Sequence, residues 1–564
     1  MGRRRHPQPT TPQNILTIKK EPHVKTVYFR DPTKENIEAA AKIIRDGGLL
    51  AIPTETVYGL GADALNEDAV LRIFLAKGRP QDNPLIIHVP DSSWLERYCE
   101  NVPPEAYALA EKFWPGPLTI IGPRAACVPD RTTGGLETVA VRMPDSQVAL
   151  DLIRQSGCPI AAPSANISGR PSPTRAKDVV ADMDGRIEAI FMGGDCQVGI
   201  ESTVLDMTGD TPTILRPGIL TADDISDALG VPVAYDKALS QKPDGADFKP
   251  KAPGMKYRHY APKAPVTVVT GPARRSAAYI RDHLPDRAGV ICFDEYAPLF
   301  AGHIVHRLGA ADDKLSQAQH VFDALRTFDD TDVSEIYAQC PDESGLGLAV
   351  ANRLKKAAGF HVVDVSPLII GFTGPTGAGK TSALRALERL GGLVLDCDAV
   401  YHQLLRTDAP LRDAITAAFG PVFTPDGALD RQKLGAAVFS DPAALDRLNA
   451  IIFDRLPREL LRRVNESDAA MVGIDAINLV ESGLYRLCRR TVAVLAPTET
   501  RVRRIMARDG ISEDYARLRV QAQKPDEFYR ARCTDVLMND AASPQVFEEI
   551  AYQRLQHIFE EEAD

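Results

Sequence analysis

The chain has no long apolar run, no paired cysteines and no excess of positive charge, and each absence removes a class of protein. Its nine cysteines are scattered along 564 residues with no C-x-x-C spacing, so a structural zinc site or a disulfide framework is not expected; reduced thiols in a cytoplasmic setting are. No apolar stretch approaches the ~20 residues that span a bilayer, and no membrane association is expected. The N-terminus has no signal-peptide core, and His6 occupies the position where a myristoylation signal at Gly2 needs Ser or Thr. A formal charge of −10 and the lack of an aromatic-rich basic stripe argue against stable, direct nucleic-acid binding. Neither an internal repeat nor a long low-complexity tract is present, and 44% hydrophobic with 25% charged residues is ordinary for globular domains.

What is present announces itself late. Gly374-Pro375-Thr376-Gly377-Ala378-Gly379-Lys380-Thr381 reads G-x-x-x-x-G-K-T, a phosphate-binding loop. The apolar run Leu368-Ile369-Ile370-Gly371-Phe372 predicts a buried strand entering it. A helix over 382–390 is expected to leave it, with Ala383, Leu384, Leu387 and Leu390 on one face. Such a strand–loop–helix aims backbone N–H groups and a positive helix end at one point, which suits ATP. Lys380 is placed to reach the β- and γ-phosphates and Thr381 to hold Mg²⁺. Further on, Asp396-Cys397-Asp398 follows a second predicted strand; there an Asp can orient Mg²⁺ or take a proton from an acceptor hydroxyl, or simply cap a helix.

The length predicts about three or four domains. Residues 1–27 are basic and rich in Pro, Thr and Gln, the composition of a disordered tail. Alternating strand and helix signals then run over 28–235, and a Pro- and Gly-rich linker over 236–263. A small three-layer α/β segment is expected over 264–366, and the phosphate-loop domain over 367–564. Four clusters in the first domain share one chemistry: Pro53 to Leu60, Lys77 to Leu85, Pro163 to Thr174, and Ser202-Thr203 with Arg216-Pro217-Gly218. Each adjoins a predicted strand end and supplies hydroxyls, amides or cations. None forms a metal-ligand cluster or a Ser-His-Asp set. Cations near Mg²⁺ suit a triphosphate, and small polar groups suit a short polar substrate.

The segments PTETVYGLG (53–61), KGRPQDNPLIIHV (77–89), PSANISGRPSPT (163–174), STVLD (202–206) and RPG (216–218) resemble the YrdC-like threonylcarbamoyl-AMP synthase family. APGMKYRHYAP (252–262) is similar to the linker of its long, two-domain members, and Gly345 to Ala349 with Arg353 to Ala358 resemble their second domain. The resemblance implies a twisted mixed sheet with helices, followed by a small Rossmann-like accessory domain. It also implies ATP-dependent joining of L-threonine and bicarbonate to threonylcarbamoyl-AMP and pyrophosphate, with downstream transferase proteins modifying tRNA. By that resemblance Thr56, His88, Arg142, Ser164 and Ser202 hold threonine. Lys77, Arg79, Asn83, Thr138, Asn166, Thr174, Arg216, His259 and Tyr260 hold ATP, with Lys77 and Arg79 neutralising the leaving pyrophosphate.

The segment from Leu368 to Asn539 resembles dephospho-coenzyme A kinase, a parallel-sheet P-loop fold with a lid. That implies dephospho-coenzyme A as acceptor, Asp398 as base and metal neighbour, Lys380 and Thr381 on ATP and Mg²⁺, and Arg504 and Arg508 as lid arginines. Three positions depart from the family pattern: Phe453-Asp454 in place of His-Pro, Ile477-Asn478 in an acceptor motif, and Arg501 where the family has Gln. These departures leave open a back domain that senses ATP without turning it over, and the cation-lined front leaves open an RNA-binding module.

Overall fold

The computed structural model describes residues 24–239, 250–252, 259–424, 428–438 and 441–563. The basic tail before Val24 and most of the expected linker, 240–249 and 253–258, lie outside the described residues. Two compact units are present: one comprises 1–268, 286–297 and 301–361, the other 269–285, 298–300 and 362–564. No helix among the described residues is long and apolar enough to cross a membrane.

The first unit contains an eleven-stranded mixed sheet. Its order is Val27–Phe29, Ala189–Phe191, Leu50–Ile52, Gly59–Asp63, Ile160–Ala161, Ile86–His88, Thr138–Arg142, Leu118–Pro123, Thr203–Asp206, Thr213–Arg216 and Ala234–Tyr235. Strand register does the work of gathering. The parallel pair Ile86–His88 and Thr138–Arg142 sets His88 beside Arg142. Leu118–Pro123 pairs in parallel with Thr203–Asp206, which sets Ser202 next to the start of that pairing. An isolated bridge from Gly59 to Ser164 joins the first and third sequence clusters. The helix Glu67–Lys77 is capped by the Asn66 side chain and stopped by Gly78 at φ 63°. A Cβ on Gly78 meets nothing within 4 Å, so the left-handed backbone, not space, calls for glycine there.

Gly59–Asp63 forms a strand although its residues GLGAD carry no β-branched signal. Packing explains the composition: a Cβ on Gly61 would stand 2.9 Å from Ile160 Cγ2, and one on Gly59 would stand 3.1 Å from Ala162 Cβ.

A five-stranded sheet has the order Ile304–Arg307, Ala288–Cys292, Glu335–Gln339, Val266–Thr270, Val362–Asp364. The helix Gly347–Ala357 that follows Glu335–Gln339 buries charged residues as well as apolar ones. Arg353 is fully buried and donates to Glu201 through Nε (3.1 Å) and Nη2 (2.9 Å). It also holds the carbonyl of Pro217. Glu201 adjoins Ser202 and Pro217 follows Arg216, so the accessory helix braces both halves of the fourth sequence cluster directly. Two further ion pairs, Arg326 with Asp182 (2.8 Å) and Arg175 with Asp323 (2.7 Å), join the same parts.

The second unit contains a five-stranded parallel sheet ordered Leu393–Asp396, Met471–Asp475, Leu368–Thr373, Arg490–Leu495, Asp535–Met538. Leu368–Thr373 is central and buried, as its apolar run requires. The helix after the loop spans Lys380–Arg389, two residues earlier than the periodicity of its apolar face predicts. The helices between Cys397 and Glu466 build a separate apolar core.

Breaking a buried pair by removing one partner leaves an uncompensated charge, at a cost of about 3–5 kcal/mol. Arg353→Met is therefore expected to lower the first thermal unfolding transition sharply, and Arg353→Met with Glu201→Gln to recover most of that loss. Calorimetry showing the single and double variants equally stable would contradict this reading of the pair.

Candidate functional site

In the first unit one cavity is lined by Thr56, Arg79, His88, Arg142, Ser164, Arg216, His259 and Tyr260, together with Glu201 and apolar neighbours. These residues come from strands, loops and the linker end, and the sheet register above brings them together. Arg142 lies at the end of its strand and is held on three sides. Its Nη2 pairs with Glu55 at 2.6 Å, Nη1 donates to Thr56 Oγ1 at 2.9 Å and Nε donates to the Gly116 carbonyl at 3.2 Å. Arg216 donates to Ser202 through Nε (carbonyl, 3.1 Å) and Nη2 (Oγ, 3.0 Å), and Ser202 Oγ lies 2.7 Å from Thr119 Oγ1. Arg79 donates to the Pro84 carbonyl at 3.1 Å, while its Nε has no partner among the described residues.

Lys77 is 2% exposed and lies behind the cavity wall, not on it. Its ammonium binds the Ser164 carbonyl, the Asn166 carbonyl (2.6 Å) and Asn166 Oδ1 (3.4 Å). Ser164 Oγ in turn donates to Asn166 Oδ1 at 2.5 Å. Lys77 thus fixes the serine- and asparagine-bearing turn. Asn83, Thr174 and Ser202 are buried but do not line the cavity. Thr138 starts the strand that Arg142 ends, roughly 13 Å away at strand rise, and it too lies off the cavity wall.

Burial dominates the electrostatics. It pushes Arg79 and Arg216 down to about 10 and Lys77 well below the usual lysine range. His88 is lowered to about 3 by burial and by Arg142, and His259 to about 3 by burial and nearby cations, so both imidazoles are neutral. Their Nδ1 atoms and Asn83 Oδ1 lack hydrogen-bond partners among the described residues. Desolvated cations and unpaired ring nitrogens describe a cavity prepared for an anionic, polar ligand.

Glu201 was missed by sequence reasoning, which began that cluster at Ser202, and it is the hub. It accepts from Ser172 Oγ at 2.7 Å and from Arg353, and its carboxylate lies beside the Tyr260 hydroxyl. Burial alone would raise its pKa; Arg353, Arg216 and Ser172 outweigh that and hold it at about 2. Tyr260 takes an unusual left-handed backbone, φ 65°, and its ring packs 5.0 Å from Phe322. Lys356, from the accessory helix, is buried near the same group and is lowered to about 7 by burial and by Arg353 and Arg216. The spacing of Arg353 and Lys356 on one helix was the available signal for these two.

In the second unit the loop Gly374 to Thr381 lines a cavity with Ile477, Arg504 and Arg508; of the loop, Ala378 is buried behind it. Gly374 and Gly379 have φ of 140° and 100°. A Cβ on either would fall 2.1 Å from a neighbouring atom, the Val494 carbonyl oxygen and Asn539 Nδ2 respectively. Lys380 pairs with Asp475, two residues before Ile477 of the altered acceptor motif. Asp475 is aligned in register with Asp396. Burial raises its pKa, Lys380 lowers it, and the carboxylates of Asp396 and Asp398 raise it again. Asp396 caps the helix Cys397–Thr407 through the N–H groups of Asp398 (2.9 Å) and Ala399 (3.1 Å), so the capping alternative holds for Asp396, while the Asp398 side chain is exposed on the first turn. Asp398 does not itself line the cavity.

Arg504 differs from its expected pose over a phosphoryl group. It lies against the loop, donating to the carbonyls of Gly377 (3.3 Å) and Ala378 (3.2 Å) and to Asn539 Oδ1 (3.1 Å). Arg508 pairs with Asp509 at 2.7 Å. Among the altered positions, Asp454 pairs with Arg458 on the surface of a long helix, and Ile477 stands half exposed at the cavity.

Three family profiles match the chain: "Telomere recombination" (the Sua5, YciO and YrdC group) over residues 42–218, "Threonylcarbamoyl-AMP synthase, C-terminal domain" over 220–359, and "Dephospho-CoA kinase" over 368–545. The threonylcarbamoyl-AMP synthase of Bacillus subtilis is 47% identical over 348 residues, 60% of this chain and 98% of that protein. The dephospho-CoA kinase of Thermobifida fusca is 36% identical over 194 residues, 32% of this chain and 96% of that protein. Among solved structures, Pyrococcus abyssi Sua5 complexed with L-threonine matches with a TM-score of 0.55 and 46% identity, covering 60% of this chain and 99% of that one. The chain therefore belongs to two families in succession, the two-domain threonylcarbamoyl-AMP synthases and the dephospho-CoA kinases.

Proposed function

We propose that the first unit joins L-threonine, bicarbonate and ATP into threonylcarbamoyl-AMP and pyrophosphate, the activated group that downstream transferase proteins attach to tRNA. The observation that carries this is the convergence of Arg79, Arg142, Arg216 and His88, all buried, on one cavity. Arg142 and Thr56 receive the threonine carboxylate, with Glu55 fixing Arg142 from behind. Neutral His88, Ser164 and Ser202 orient the amine and side-chain hydroxyl. Arg79 and Arg216, backed by Lys77, neutralise the triphosphate; Asn83, Thr138, Asn166, Thr174, His259 and Tyr260 serve the rest of the nucleotide.

In the reaction the threonine nitrogen bonds to the carbon of bicarbonate-derived CO₂ and loses a proton. A carbamate oxygen then attacks the α-phosphorus, and the bond to pyrophosphate breaks. No protein nucleophile is required. Fixed cations at the departing pyrophosphate and exclusion of water from the short-lived carbamate carry the rate. Burial of the cations speaks against an RNA-coating role, since they face a cavity and not an open surface.

The second unit transfers the γ-phosphoryl group of ATP to the ribose hydroxyl of dephospho-coenzyme A. The loop N–H groups and Lys380 hold the phosphates. Thr381, on the cavity wall, and Asp398, outside it, would be the oxygen donors to Mg²⁺, which keeps most of its water and phosphate ligands. When bound it supplies charge neutralisation between the phosphates. Asp398, exposed at the strand end, accepts the acceptor proton.

Each unit is the other's internal control. Lys77→Ala with Arg79→Ala is expected to cut threonine-dependent pyrophosphate release by about 100-fold or more, with phosphorylation of dephospho-coenzyme A retained; unchanged release would refute the assignment. Conversely, Lys380→Ala should reduce ATP-dependent phosphorylation of dephospho-coenzyme A by about 100-fold or more and leave pyrophosphate release intact. Mass spectrometry of the products reads both, and a phosphorylated product formed equally by Lys380→Ala would refute the kinase assignment.

A further inference from the structure

The apex of the phosphate loop is gripped from outside the cavity, by residues that do not line it. Every polar atom of Thr376 is engaged by two side chains from the region after Arg490–Leu495. Its N–H donates to Gln523 Oε1 at 3.0 Å, its Oγ1 accepts from Gln523 Nε2 at 2.7 Å, and its carbonyl accepts from Arg501 Nε at 3.1 Å. Arg501 closes the set by donating from Nη2 to Gln523 Oε1 at 2.7 Å. Arg501 is 5% exposed and sits one turn into the helix Thr498–Asp509; Gln523 follows the helix Glu513–Gln521. The two helices share an apolar core of Val502, Ile505, Ala516 and Val520.

The loop's main chain must turn its N–H groups toward the phosphates and its carbonyls away. Outward carbonyls that are buried need donors. Here Arg501 supplies one for Thr376, and Arg504, from the next turn of the same helix, supplies donors for Gly377 and Ala378. Three successive carbonyls are thus tied to one helix. The loop packs closely against that helix: a Cβ on Gly377 would stand 3.0 Å from the Arg501 carbonyl oxygen.

We propose that Arg501 and Gln523 are positioning residues of the kinase: a clasp that takes up every polar atom of Thr376, its N–H included, and so fixes the apex of the phosphate loop against the helix carrying Arg508. Neither residue touches substrate. The proposal rests on the kinase reading above, and it makes Arg501, one of the departures from the family pattern, part of the nucleotide site and not a sign of its decay.

The test uses the full-length chain with Arg501→Met, Arg501→Lys, Gln523→Ala and the Arg501→Met, Gln523→Ala double variant. ADP with Mg²⁺ is titrated by calorimetry, and KM and kcat for ATP are measured with dephospho-coenzyme A saturating. The clasp predicts ADP binding weaker, and KM for ATP higher, by about tenfold in Arg501→Met and in Gln523→Ala. The double variant should lose little more than either single one, and Arg501→Lys should lose less. The KM for dephospho-coenzyme A should stay within about twofold of wild type. Calorimetric unfolding of the second unit in each variant reports that it is folded. A purely structural role would lower kcat through loss of active protein and leave KM and ADP affinity alone. ADP affinity and KM for ATP within about twofold of wild type in either single variant would overturn the proposal. A wild-type chain that binds ADP but phosphorylates nothing would refute the kinase reading, and the ADP titrations would still decide the clasp.

Discussion

Positive charge is buried around one cavity, and the rest of the first unit is arranged to tolerate it. Arg79, Arg142 and Arg216 line the cavity, with Lys77, Arg353 and Lys356 buried behind them. Removing such groups from water costs several kcal/mol each unless partners make up the loss. Glu55 serves Arg142, and Glu201 serves Arg353 and lies close to Arg216. Lys77 is left with carbonyl and amide oxygens, and Arg79 Nε has no partner among the described residues, an environment that a polyanion would complete. Because Glu201 is shared among the Ser172 turn, the Tyr260 end of the linker and the accessory helix, the accessory domain is part of the site's electrostatics.

The second unit meets the same ligand chemistry differently. Its loop presents backbone N–H groups at a helix start, with glycines where a Cβ would collide, and one lysine already matched by Asp475. Charge is held ready on the main chain and little is buried. The cost there is conformational: a glycine loop must be held still. Arg504, Asn539, Arg501 and Gln523 act on its carbonyls and apex accordingly. Within one chain, one cavity is made of desolvated side-chain cations and another of braced backbone.

Much of this was legible in the sequence, for identifiable reasons. Strand ends carrying polar clusters, the capped helix Glu67–Lys77, and the central strand before the phosphate loop all follow from periodicity and caps. The eight cavity residues named from resemblance do meet in space. Less legible were features set by tertiary contact. Gly59–Asp63 is a strand whose neighbours leave no room for side chains, and its composition carries no strand signal. Lys77 faces the turn that it fixes, and Thr138 lies a strand length from Arg142. Glu201 looks unremarkable beside Ser202 until Arg353, 152 residues later, is seen bound to it. Arg504 reads as a lid residue on helical spacing, yet it lies on the loop carbonyls, a contact that no local pattern encodes.

The central claim, cations held in a desolvated cavity at a cost to the unliganded protein, is tested most directly by proton linkage at Lys356. Its pKa is near 7 when folded against 10.5 for a free lysine, so between these values the unfolded chain binds more protons and stability rises with pH. The unfolding free energy of the first transition, followed from pH 7 to 8 in the unliganded wild type and in Lys356→Met, isolates that residue from the thiols and histidines common to both. The account predicts a steeper rise in wild type, by up to about 1.4 kcal/mol per pH unit. Equal slopes in the two proteins would contradict it.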